Sequence, residues 1–123
     1  MTKETKHQLN KMAQITTHTL NALDGTHASN VEVKLSLHGT EIFSGATDEG
    51  GRLEFDIDIS SYQSTDEFFL SFGIGKLFGL KKKNKSGVKI NYAALSFQMP
   101  DKDGQYHIPV IMSPNGCSFW WSG

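Results

Sequence analysis

Short segments in which apolar and polar residues alternate constrain this chain more than any other feature. Val31, Val33, Leu35 and Leu37 alternate with Glu32, Lys34 and Ser36, and Leu53, Phe55 and Ile57 alternate with Arg52, Glu54 and Asp56. A period of two sends each set to its own face of an extended strand, whereas a helix needs apolar residues three and four apart. The last stretch repeats the pattern, with Tyr106, Ile108, Val110 and Met112 set against His107, Pro109 and Ile111. Ser113-Pro114-Asn115-Gly116 then supplies a turn, Pro fixing φ at its second position and Asn-Gly tolerating a positive φ after it. Cys117 to Trp121 is an aromatic-rich return strand.

Taken in order, the chain reads as a run of short strands. Residues 1–13 are polar and weakly patterned, a flexible arm, and 14–123 form one domain. Gln14–Asn21 is dense in β-branched residues, with Ile15, Thr17 and Thr19 on one face and Thr16, His18 and Leu20 on the other. Strands follow over 31–37, 41–47, 52–58, 67–72 and 88–98, separated by Asp24-Gly25, Asp48-Glu-Gly-Gly51 and Pro100–Gly104 turns. Lys76–Lys81 holds one short helix, ending in the basic loop Lys81-Lys-Lys-Asn-Lys85. About eight strands at this spacing predict an all-β antiparallel sandwich.

Composition excludes several function classes. The 123 residues carry a net charge of −1, so no overall field favours nucleic acid or an anionic membrane. One cysteine cannot build a disulfide framework, which fits a reducing compartment. The first 14 residues lack an apolar core of signal-peptide length and no run is long enough to span a bilayer, so a cytoplasmic protein is expected. Gly73-Ile-Gly75 misses the spacing of a dinucleotide fingerprint, and the five histidines show no paired metal spacing. Neither a cofactor nor a metal is expected.

Three segments together resemble the transthyretin-like family, and within it the 5-hydroxyisourate hydrolases of purine breakdown. They are Ile15-Thr-Thr-His-Thr-Leu20, Thr47-Asp-Glu-Gly-Gly-Arg-Leu53 and Tyr106-His-Ile-Pro-Val-Ile-Met-Ser-Pro-Asn-Gly-Cys-Ser118. The third is the most specific, and the three occur in the family's order over all but the N-terminal arm. The resemblance implies two four-stranded sheets and a homotetramer, a dimer of dimers, with a cleft for a small heterocyclic substrate at a subunit interface. It carries His18, Arg52 and His107 over as catalytic positions. Residue parity agrees independently: Arg52 and His107 point away from the apolar faces of their strands, and His18 shares that outer face if Ile15, Thr17 and Thr19 pack inward.

The tail departs from the family's Tyr-Arg-Gly-Ser ending, since Trp120, Trp121, Ser122 and Gly123 stand there instead. Gln105 occupies a position where the family usually has histidine, and Trp120, Trp121, Ser122 and Gln105 are the candidate substrate contacts. The family reaction adds water to a cyclic amide. A neutral imidazole takes a proton from water at cellular pH, so His18 or His107 is the candidate base and the other positions water or the leaving nitrogen. Arg52 presents a planar fork of donors suited to an oxyanion. His7, His27 and His38 are expected to be solvated surface residues, and Trp120 and Trp121 suit interface packing as well as ligand stacking. The competing reading is a diverged cleft, either binding a small molecule without turnover or acting on a different substrate.

Overall fold

The computed structural model describes residues 12–78 and 90–121. Ser122 and the Lys81–Lys85 loop lie outside the described residues. Strands run over Ala13–Asn21 (β1), Glu32–Leu37 (β2), Thr40–Ala46 (β3), Arg52–Ile57 (β4) and Phe68–Phe72 (β5). A short helix, Ile74–Phe78 (α1), precedes Ala93–Phe97 (β6), Gln105–His107 (β7), Val110–Ser113 (β8) and Gly116–Phe119 (β9). One sheet has the order β4-β1-β8-β9, with β7 also on β1, and the other has the order β3-β2-β5-β6. The expected β-sandwich is what forms. No helix among the described residues is long and apolar enough to cross a membrane.

Two details differ from the expectation. The strand expected to run through residue 108 is broken, because Pro109 has no N–H to give a ladder. The break yields β7 and β8, which brings the first sheet to five strands rather than four. Both pieces pair with β1 in parallel, at one constant register, Thr16 opposite His107 and Thr19 opposite Val110. Thr17 holds the interruption closed, its buried hydroxyl donating to the Ile108 carbonyl at 2.6 Å while the Ile108 N–H donates to Thr16 O. The β8–β9 turn closes as expected between Ser113 and Gly116. Positive φ occurs instead at Gly25, Asn30, His38, Gly39 and Gly51, so the β8–β9 turn does not use the left-handed region.

The alternation read from the sequence is the packing. Ala13, Ile15, Thr17 and Thr19 of β1 are buried, as are Val33, Leu35 and Leu37 of β2 and Phe68, Leu70 and Phe72 of β5. Phe43 stacks on Phe55 with ring centroids 3.7 Å apart, and Phe72 meets Phe119 at 5.6 Å, so these aromatic contacts join the two sheets. Full burial of a ring such as Phe68 or Phe72 contributes about 1.5–3 kcal/mol each. Tyr106 is half-buried, and its hydroxyl donates to Asp101 O and accepts from Asp101 N–H, both at 3.0 Å, which pins the turn before β7.

A buried polar knot lies where β1 leaves the core. The Thr19 hydroxyl donates to Ala28 O at 2.6 Å and lies 3.2 Å from Gly51 O and 3.3 Å from Thr47 Oγ1. Thr47 Oγ1 in turn accepts from the Val31 N–H and donates to Ala28 O. One hydroxyl thereby ties β1 to the loop after it and to the turn before β4. Thr19→Val keeps the shape and removes the donor, and it should cost about 1–3 kcal/mol in a urea titration. An unchanged midpoint would show that the knot contributes no net stability.

Candidate active site

The outward face of the first sheet carries the polar residues in transverse rows. Arg52 lies opposite His18 across β4 and β1, and Thr16 lies opposite both Glu54 and His107. The constant register of β1 with β7 and β8 sets Pro109 level with His18, and the Trp120 N–H donates to Pro109 O at 3.2 Å. One row therefore runs Arg52, His18, Pro109, Trp120. The next runs Glu54, Thr16, His107, and a third runs Asp56, Gln14, Gln105. Neighbouring strands stand about 4.8 Å apart, so Arg52, His18 and His107 share a patch of roughly 10 Å. Sequence parity assigned all three to an outer face, and the pairing brings them together there.

Local turns aim these side chains. The Asp48 carboxylate accepts from the Gly50 and Arg52 N–H groups, each at 2.9 Å, and Gly51 N–H closes on Asp48 O at 3.0 Å. This tight turn starts β4 at Arg52 and directs Gly50 O at His18, 3.0 Å from Nε2. A carbonyl only accepts, so Nε2 carries the hydrogen and Nδ1 of a neutral His18 keeps its lone pair. His107 is held differently, with Nδ1 at 2.7 Å from Thr16 Oγ1. A hydroxyl both donates and accepts, so either tautomer of His107 stands. Thus His18 is committed to one tautomer and His107 is not.

Burial lowers the His18 pKa below its usual 6.5, and the Arg52 guanidinium pushes in the same direction. The Gly50 carbonyl opposes the shift, while His27 and His107 add to it. His18 is therefore the neutral, proton-accepting form at pH 7. No ion pair among the described residues involves Arg52, which leaves its donors available on the outer face. No three potential ligands cluster in a metal-binding arrangement among the described residues.

The remaining candidates divide. Trp120, 44% exposed, extends the row that holds His18, while Trp121, 67% exposed, follows it past the last hydrogen bond to Pro109. Gln105 shares the face with His107, one row further from His18. His27 was expected to be a solvated bystander. It is exposed, yet its Nδ1 sits 2.8 Å from His18 Nε2 and the two ring centroids are 4.8 Å apart. The signal was in the sequence: the Asp24-Gly25 turn folds the chain back so that Leu20 pairs with His27. Reading each histidine on its own strand concealed a contact made across a turn. His38 does stay on the surface, in the turn between β2 and β3.

A family model described as HIUase/Transthyretin family matches residues 15–121, almost the whole span from β1 to the tail. The chain belongs to the HIUase/Transthyretin family. Comparison with curated protein sequences finds no match. Among solved structures of this fold, the 5-hydroxyisourate hydrolase of Klebsiella pneumoniae superposes with a TM-score of 0.69 at 23% identity, covering 91% of this chain and 100% of that one. A structure of (S)-allantoin synthase gives a TM-score of 0.73 at 20% identity, covering 91% of this chain and 44% of that one. Transthyretin from Sparus aurata gives 0.68 at 21% identity, covering 88% and 95%. The HIUase/Transthyretin fold therefore occurs in hydrolases and in transthyretins, and the decision between them rests on the outer face of the first sheet.

Proposed function

We propose that this chain is a cyclic-amide hydrolase of the 5-hydroxyisourate type, acting in the cytoplasm on that compound or a close heterocyclic relative. The observation that carries the reading is an imidazole, His18, directly opposite the guanidinium of Arg52, which has no ion pair among the described residues, with a second imidazole, His107, on the neighbouring strand. His18 Nδ1 takes a proton from water as the oxygen attacks the amide carbonyl. Arg52 stabilises the oxyanion that forms. The carbon–nitrogen bond then breaks, and the departing nitrogen takes up a proton from the imidazolium, His107 positioning the water or the leaving nitrogen. Trp120 lies in the same row and offers a face for stacking a planar ring, with Trp121, Ser122 and Gln105 as further contacts.

The same reading carries a homotetramer built as a dimer of dimers. In support, β9 and β6 each end a sheet, and their outer backbone edges are open to a second copy.

The test follows the ultraviolet absorbance of freshly generated 5-hydroxyisourate with and without the protein. Saturable acceleration of its decay is expected, and a folded, oligomeric sample without acceleration would end the reading. The pH profile follows from the direction of the His18 shift. Protonation removes the base, and burial and Arg52 both disfavour protonation, so kcat/KM should hold at pH 7 and fall on an acid limb centred below 6.5. A limb centred above that value would assign the base elsewhere. The exposure of Trp120 and Trp121 also suits a cleft that binds a planar molecule without turnover. Saturable quenching of tryptophan fluorescence with no product would favour that second reading.

A further inference from the structure

We propose that His27 is the proton partner of His18: the two imidazoles share one hydrogen between His18 Nε2 and His27 Nδ1, so that His27, together with Gly50 O, engages that nitrogen and leaves Nδ1 of His18 free for chemistry. At 2.8 Å the contact is a hydrogen bond. Two lone pairs facing each other would repel, as would two N–H groups, so one hydrogen lies between the rings. Gly50 O, 3.0 Å from the same His18 nitrogen, only accepts and places that hydrogen on His18 in the neutral state. Nδ1 of His18 then has the lone pair, and His27 carries its own hydrogen on Nε2.

The backbone makes the contact a fixed one. Leu20 pairs with His27, Asn21 N–H donates to Thr26 O, and Ala28 N–H donates to Thr19 O. His27 is therefore laid against the end of β1 by hydrogen bonds on both sides of it. It is also exposed, whereas His18 is half-buried, so the pair connects a sheltered ring to a solvated one.

A proton path follows, and its atoms balance. When His18 accepts a proton on Nδ1, the N–H bond at Nε2 breaks, a new one forms at His27 Nδ1, and His27 releases its Nε2 hydrogen to water, which leaves His18 transiently in the tautomer that Gly50 O disfavours. The reverse sequence reloads His18. The groups around the pair set the direction. Arg52 of β4 and His107 of β7 repel a positive His18, which favours export to His27. Of the carboxylates at this face, Asp48 is engaged by the Gly50 and Arg52 N–H groups and Glu54 by Gln14 Nε2, while Asp56 lies two rows from His18. His27 is thus a positioning residue that acts through His18. Only the kinetic part of the inference rests on the hydrolase reading.

The experiment uses 15N-labelled protein and follows the ring nitrogens of all histidines against pH in the wild type, His27→Ala and His27→Asn. In the wild type, neutral His18 should show hydrogen on Nε2, and its titration should be coupled to that of His27. His27→Ala should move the His18 midpoint upward, because His27 is one of the groups that hold it down. Asparagine keeps an acceptor but cannot pass a proton on. His27→Asn should therefore preserve the His18 tautomer while kcat falls on the order of tenfold, less than the loss of an acid–base group itself. Free imidazole added to His27→Ala should restore part of the rate. His18 nitrogen shifts that are identical in the wild type and His27→Ala at every pH would overturn the proposal. Coupled titration in a protein without turnover would instead uphold the pairing and remove the hydrolase reading.

Discussion

Substitution of His18 by asparagine is expected to lower turnover of 5-hydroxyisourate by roughly 10²–10⁴-fold, the usual contribution of a positioned acid–base group. The folded state should survive, because His18 lies on the outer face and the buried side chains of β1, Ile15, Thr17 and Thr19, are on the other. His107→Asn should cost a comparable factor. The asparagine amide can still meet the Thr16 hydroxyl that holds His107 Nδ1 at 2.7 Å, so the loss there reports proton chemistry and not a collapsed strand. The two variants differ in one measurable way. The acid limb of the rate profile should disappear with His18, whose pKa burial and Arg52 lower, and persist in His107→Asn. Full activity in both variants, with unfolding midpoints unchanged, would exclude the assignment of these imidazoles to catalysis.

The second large effect is structural. Gly51→Ala should destabilise the domain by roughly 3 kcal/mol or more and abolish activity, whereas Gly25→Ala should cost only about 1–2 kcal/mol. Both glycines have φ of +74, so both substitutions incur the left-handed penalty. Their surroundings separate them. A Cβ on Gly25 meets nothing within 4 Å, while one on Gly51 would sit 2.4 Å from Thr19 O and 3.3 Å from both Ala28 O and His27 Cβ. Relief requires β4 to move away from β1, which opens the 2.7 Å bond from Thr19 N–H to Gly51 O. The same movement withdraws Arg52 from His18 and Gly50 O from Nε2. Thermal or urea unfolding of the two variants gives the comparison, and equal midpoints would show that the close approach at Gly51 is not maintained in solution.

Much of the fold was legible because its signals are local. Alternation identified the inward residues of β2 and β4, and turn chemistry located the Asp48–Gly51 and Ser113–Gly116 reversals. Parity also placed His18, Arg52 and His107 outward, since which face a side chain takes depends only on its own strand's buried neighbours. The errors came where a neighbouring strand intervenes. Pro109 was read as one more residue of a continuous strand, but its missing N–H interrupts the ladder between β7 and β8. The helix begins at Ile74, before the expected Lys76, because a short helix has too little periodicity to set its own start, and the expected residues 79–81 lie outside the described residues.

Alternation and turns, which are properties of neighbouring residues, were enough to set a β-sandwich with polar residues facing away from its core. Tertiary structure decided which of those residues meet. The register of β1 with β4 sets Arg52 opposite His18, its parallel pairing with β7 brings in His107, and the reversal at Asp24-Gly25 delivers His27 to the same ring. Gly50 O, supplied by another part of the chain, commits the His18 tautomer, and burial together with the charge of Arg52 lowers its pKa.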